Sequence, residues 1–279
     1  MSDLPPGYAR VANPFHEYEY DHEHDHEHDP LPEVPPTDPA HPLHGYLVHY
    51  PEVVAAGSLR RALQAVADRA GTGLTIGLPS SPGWRYAGAR VEVDGRSTNV
   101  LMAVDGRSFL VDCWARGVHM ASGSSQGLPE VAGAMRSWHD GAKVRALTER
   151  WPFLRTWELA EAHERGELGP ARWAAMRRRA AADTRTEHAS DWRDLLEAAF
   201  AQPRLRALSP GRSMWWFTLS RRAAPPVCSD LPRTRPLGGG RFEVTFADRR
   251  VQEVDGAAAT VAVIVGSLPA DAVPPPPES

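Results

Sequence analysis

Lysine is nearly absent from this chain: of 31 basic residues only Lys143 is not arginine. The arginines are scattered and surround no glycine-rich anion loop, so the bias reads as codon usage and not as a set of phosphate forks. Cysteine is equally scarce, with Cys113 and Cys228 alone and no C-x-x-C pair, which excludes a disulfide scaffold and points to reduced thiols. Long apolar runs are missing too. The longest, Ala257 to Val265, is far too short to span a bilayer, and the opening MSDLPPGYAR has no basic start followed by an apolar core. No membrane association is expected, and the reading is cytoplasmic. Zinc-finger spacing does not occur, and Gly238 to Gly240 precede a strand and no helix.

The net charge of −4 is unevenly spread. Residues 1–45 hold five Asp, five Glu and one Arg, so they carry −9 and the remainder +5. That mild surplus, without a concentrated basic stripe, predicts no nucleic-acid partner. Proline, acid and histidine dominate 1–45, which predicts a disordered tail. Within it His16 to Asp29 alternate histidine with carboxylate. His22, His24, His26 and His28 are candidate ligands for Zn or Ni, set against a solvated low-complexity tail with no fixed site.

The pentapeptide VDGRS stands twice, at Val93–Ser97 and Val104–Ser108. Asp-Gly between apolar runs is a hairpin signal, because both central residues of a type I′ turn need positive φ. Two-residue turns at Asp94-Gly95 and Asp105-Gly106 set Val91 opposite Thr98, and Met102 opposite Phe109. They gather Val91, Val93, Val100, Met102, Val104, Phe109, Val111 and Cys113 on one core face. Near Ala115-Arg116-Gly117 the chain reverses again. A loop at Ala115-Arg116 would place His119 opposite Asp112, and make Arg90, Asn99, Asp112 and His119 a polar row across four strands. A three-residue loop would dissolve it. Asp112 and His119 are the candidate acid-base pair, with Asn99 and Arg90 beside them, and the alternative is ordinary cross-strand pairing. Cys113 points to the other face and belongs to the core.

Around this meander the pattern predicts a helix from Ser58 to Ala70, a short strand at Thr75–Leu78, and a helix starting near Pro129 with Val131, Ala134, Met135 and Trp138 inward. From Ala142 to Leu208 the pattern is helical, most clearly over Asp191–Ala201 with Ser190 as its cap. Glu158, Glu161, His163 and Glu164 lie on a helix but complete no metal motif, which leaves a solvated face. Strands follow at Met214–Ser220, Arg241–Phe246 and Arg249–Val254, the last two joined at Ala247-Asp248. A final helix near Asp255 presents Val261, Ile264, Val265 and Leu268. Trp215-Trp216-Phe217 are a candidate aromatic pocket, although alternation separates Trp216 from the other two.

The expected fold class is α+β: an antiparallel β-meander packed with flanking helices, a helical middle segment and a C-terminal strand-hairpin-helix unit. The divisions are a tail over 1–45, an α+β unit over 46–141, a helical segment over 142–212, a hairpin-helix part over 213–270 and a proline-rich end over 271–279. The phrases VEVDGRSTNVL, FLVDCWARG, LAEAHERG, AFAQPRLRAL and PLGGGRFEV resemble an uncharacterised actinobacterial family labelled natural product biosynthesis protein, over about Trp84 to Leu268. That resemblance implies a secondary-metabolite setting and brings no catalytic residues. With no complete catalytic constellation, the leading expectation is a non-catalytic accessory or recognition protein that binds a small molecule or a protein partner. The competing ones are an enzyme using Asp112 and His119, and metal handling through the tail.

Overall fold

Asp94 and Gly95 adopt φ of 50° and 72°, the paired positive values of a type I′ turn, and every register contact of the first hairpin follows from them. The computed structural model describes residues 34–228 and 230–272. The fold is α+β, with two antiparallel five-stranded sheets among the described residues. The chain divides into two units, one of residues up to 112 together with 123–140, the other of 113–122 together with 141 onward.

The first unit begins with α1 (Pro51–Ala56) and α2 (Leu59–Arg69). Gly57 at φ 83° ends α1, and the Ser58 hydroxyl accepts from the Arg61 N–H to start α2. Strands β1 (Gly88–Val93), β2 (Arg96–Met102), β3 (Phe109–Ala115) and β4 (Val118–Ser125), then β5 (Leu154–Arg155) further along the chain, lie side by side in that order. Val91 pairs with Thr98 and Arg90 with Asn99, as the turn requires. Helix α3 (Leu128–His139) has Pro129 in its first turn and buries Val131, Ala134, Met135 and Trp138.

Two core assignments fail here. Val93 and Val104 are exposed, at 46% and 56%: Val93 is the last residue of β1, and Val104 lies in the loop that follows β2. The second VDGRS makes no type I′ turn: neither Asp105 nor Gly106 has positive φ, and β2 stops at Met102 while β3 resumes at Phe109. The buried Tyr50 hydroxyl takes this loop over, lying 2.8–2.9 Å from the carbonyls of Ala103, Gly106 and Ser108 and accepting from the Ser108 N–H. Arg107 then forks onto Glu52 at 2.6 and 3.2 Å. The expected strand at Thr75–Leu78 is reduced to one bridge, Gly77 with Arg90.

In the second unit, α4 (Val144–Arg150) and α5 (Glu158–Glu164) precede α6 (Leu168–Ala182), α7 (Ala189–Ala201) and α8 (Pro203–Arg206). Strands β6 (Ser209–Ser213), β7 (Trp216–Ser220), β8 (Arg233–Gly238), β9 (Arg241–Thr245) and β10 (Val251–Asp255) form the second sheet in chain order, and α9 (Ala257–Ser267) closes the described chain. Trp173, Trp192, Leu195 and Leu196 from the helices meet Phe217, Leu219, Phe242 and Val244 from the strands, with Val261 and Ile264 of α9 in the same core. Burial of side chains of this size stabilises by about 1.5–3 kcal/mol each before chain entropy is counted. The Trp173 indole N–H is satisfied by the Leu208 carbonyl at 2.9 Å.

Local differences from the sequence reading have local causes. Helix α7 starts two residues early, from His188 at φ 68°, so Ser190 is inside it and is not its cap. The β9–β10 turn has three residues, not two: Phe246 N–H bonds the Arg250 carbonyl at 2.9 Å, and Arg249 takes the left-handed conformation at φ 67°. Gly238, Gly239 and Gly240 all have positive φ, which only glycine sustains in succession, and they return β8 into β9.

Candidate functional site

The long hairpin turns on Arg116 and Gly117, at φ 48° and 74°, one residue later than Ala115-Arg116. That shift makes Trp114, and not Asp112, the residue directly opposite His119. The rings of Trp114 and His119 stack at 4.5 Å and 19°, and Trp157 meets the imidazole edge-on at 4.6 Å. His119 is thus held between two indoles, a packing position. Of the proposed row, Arg90 and Asn99 are direct cross-strand partners, while the Arg90 guanidinium is given to Glu92 and the Ser80 hydroxyl. Cys113 is fully buried, and Asp112 is half-buried on the opposite face of its strand.

The helical carboxylates are also engaged. Glu158 pairs with Arg178, Glu161 with Arg145 at 3.3 Å, and Glu164 accepts from the Val144 N–H at 3.1 Å, which anchors the start of α4. No group of three or more metal-ligating side chains forms among the described residues. His22, His24, His26 and His28 lie outside the described residues.

A different arrangement appears on the second sheet. Phe217 pairs with Thr234, so one step along Trp216 lies opposite Arg235; Arg235 in turn pairs with Glu243 and Glu243 with Glu253. Alternation sends Phe217 into the helix-covered core and leaves Trp216 on the face away from α6, α7 and α9. The guanidinium carbons of Arg233 and Arg235 stand 4.3 and 4.8 Å from the Trp216 ring centroid. Arg235 is tied to Glu243 at 2.8 Å, and its Nε is buried without a partner among the described residues. Arg233 is exposed. At the β6–β7 tip Met214 is 85% exposed, Trp215 borders it, and Arg212 lies 5.0 Å from the Trp215 ring. Cation–π stacking of this kind holds a guanidinium in place by its flat face and leaves its in-plane N–H groups free for an acceptor.

Trp216 is one of the residues singled out from sequence. Arg233 and Arg235 are not, because β8 reads RTRPLG, which carries proline and a single aliphatic residue. The available signal is the alternation of Arg233, Thr234, Arg235 and Pro236, with the even positions buried.

The second unit is therefore an α+β module whose helix-backed antiparallel sheet displays an arginine–tryptophan ladder. Residues 168–275, from the first residue of α6 to beyond α9, match a family of unknown function, DUF6193. No curated protein and no solved structure matches the chain. The matched segment contains Trp216, Arg233, Arg235 and Glu243 together. It contains none of Arg90, Asn99, Asp112 or His119.

Proposed function

We propose that this chain is a non-catalytic recognition protein, acting in the cytoplasm in the service of natural-product biosynthesis, and that it binds an acidic segment of a protein partner across the second sheet. The observation that carries the reading is Trp216 with Arg233 and Arg235 at 4.3 and 4.8 Å. Both ring approaches come from guanidinium groups, so the ladder offers hydrogen-bond donors and positive charge, which suit carboxylates. A sheet face suits an extended chain, and opposite charges raise the rate and specificity of encounter. The biosynthetic setting rests on the resemblance of the five phrases quoted above.

The test is a titration of the full chain with a short poly-glutamate peptide, followed by tryptophan emission and by anisotropy of a labelled peptide. Saturable binding that weakens with added salt and is lost in Arg233→Glu is the expected result. Binding by Arg233→Glu equal to that of the wild type would overturn the proposal.

A further inference from the structure

We propose that β10 is a self-association edge: it pairs antiparallel with β10 of a second copy of this chain about a two-fold axis at Gln252, so that Arg249 of each copy meets Asp255 of the other. The proposal stands apart from the arginine–tryptophan ladder, none of whose residues it uses.

The hydrogen bonds of the last hairpin fix which way each backbone group of β10 faces. Phe246 N–H bonds the Arg250 carbonyl at 2.9 Å and Gly256 N–H bonds the Gly240 carbonyl at 2.7 Å, so residues 250 and 256 face β9. The register runs unbroken from Val251 on Thr245 to Asp255 on Arg241, so Gln252 and Val254 face β9 as well. Val251, Glu253 and Asp255 therefore turn their N–H and C=O groups outward, where no further strand lies among the described residues.

The two edges of this sheet are not alike. Strand β6 contains Pro210, which has no N–H, and α6 packs along it. Strand β10 has no proline, lysine or bulge, and Val251 on it is 59% exposed. Natural sheets seldom leave such an edge open. Glu253 and Asp255 are its guard, and they repel an acidic strand while admitting one that brings arginine.

Charge selects both the occupant and the register. Glu253 lies 3.8 Å from Arg241, and Arg250 is tied to Asp248 at 2.6 Å. Arg249 and Asp255 are exposed at opposite ends of the edge, and neither has an ion pair among the described residues. An antiparallel copy reverses the ends, so the two-fold axis satisfies both groups twice. Pairing centred on Gln252 does this, and it sets the two Gln252 amides, each donor and acceptor, against one another. Centred on Glu253, the same strands would oppose two carboxylates; centred on Val251, Asp255 would meet Ala247.

Sedimentation velocity of the full chain over a concentration series tests this, with EDTA present so that histidines cannot bridge chains through metal. The wild type shifts from one chain towards two as concentration rises. Arg249→Asp, at an exposed φ of 67° that aspartate tolerates, and Asp255→Arg each weaken association by about tenfold or more, with an unchanged melting temperature in dilute solution. The double variant exchanges the two charges and restores association. Should one single variant fold poorly, the other carries the comparison. A single-chain mass at every concentration, wild-type association in both reversals, or a double variant no stronger than the singles overturns the assignment.

Discussion

The hydroxyl of Thr98, fully buried on β2, lies 3.1 Å from Nε2 of His139 at the end of α3. Burial first, then the neighbouring Arg96, holds this imidazole down at about 4 from an ordinary 6.5, against a smaller pull from Asp140. Its Nδ1 is buried without a partner among the described residues. Above pH 6.5 the ring is neutral whether the chain is folded or not, and it adds no pH dependence. As pH falls from 6.5 towards 4 the unfolded chain takes up a proton that the folded chain refuses, so stability falls across that window. The loss amounts to about 1–2 kcal/mol once solvent screening of a partly exposed ring is allowed for. Urea unfolding at stepped pH, with His139→Gln alongside, checks it: the variant has a shallower acid slope.

Tyr50→Phe deletes one oxygen and leaves three carbonyls and the Ser108 N–H of the 103–108 loop without their shared partner. The expected cost is about 1–3 kcal/mol, close to that of leaving buried polar groups unsatisfied. Hydrogen exchange should show faster amides at Ala103 and Ser108 while α2 is unchanged. Protection equal to wild type in the loop would mean that the Arg107–Glu52 fork alone holds it.

His119→Ala removes the ring held between Trp114 and Trp157. Aromatic pairs contribute about 0.5–1.5 kcal/mol beyond area burial, so unfolding measurements should record a loss of about 1–2 kcal/mol. An unchanged stability would contradict the packing role and return His119 to consideration as a chemical group.

Metal binding is proposed from the sequence for His22, His24, His26 and His28. Titration with Zn²⁺ or Ni²⁺ should therefore give bound metal that disappears when all four histidines are changed to alanine. The melting temperature should be the same with and without metal, as expected when binding is not coupled to a folded core. Unchanged stoichiometry in the fourfold variant would place the metal elsewhere.

What the sequence made legible was what short-range chemistry decides. The first VDGRS turn, the inward face of α3 and the burial of Cys113 follow from Asp-Gly φ preference and from the periods of helix and strand. Its twin at 104–108 was opaque because its conformation is dictated by Tyr50, more than fifty residues earlier in the chain. The hairpin at 115–118 misled by one residue, although Gly117 was the visible clue: glycine at the second central position of a tight turn outweighs an alanine before it. Strand β6, SPGRS, and strand β8, RTRPLG, carry too few apolar residues to announce themselves, and with β8 the arginines of the ladder went unseen.

The close approach of Gly117 to Pro225 has a consequence for any attempt to excise or swap the C-terminal segment. Residues 113–122 belong to the same unit as 141 onward, yet in the chain they precede α3, so the unit is discontinuous. A gene fragment opening at 141 would be born with Pro225 facing a gap. Chimeras that exchange this segment between relatives therefore need a two-piece graft, hairpin tip included, and recombination breakpoints between the tip and α4 should be disfavoured.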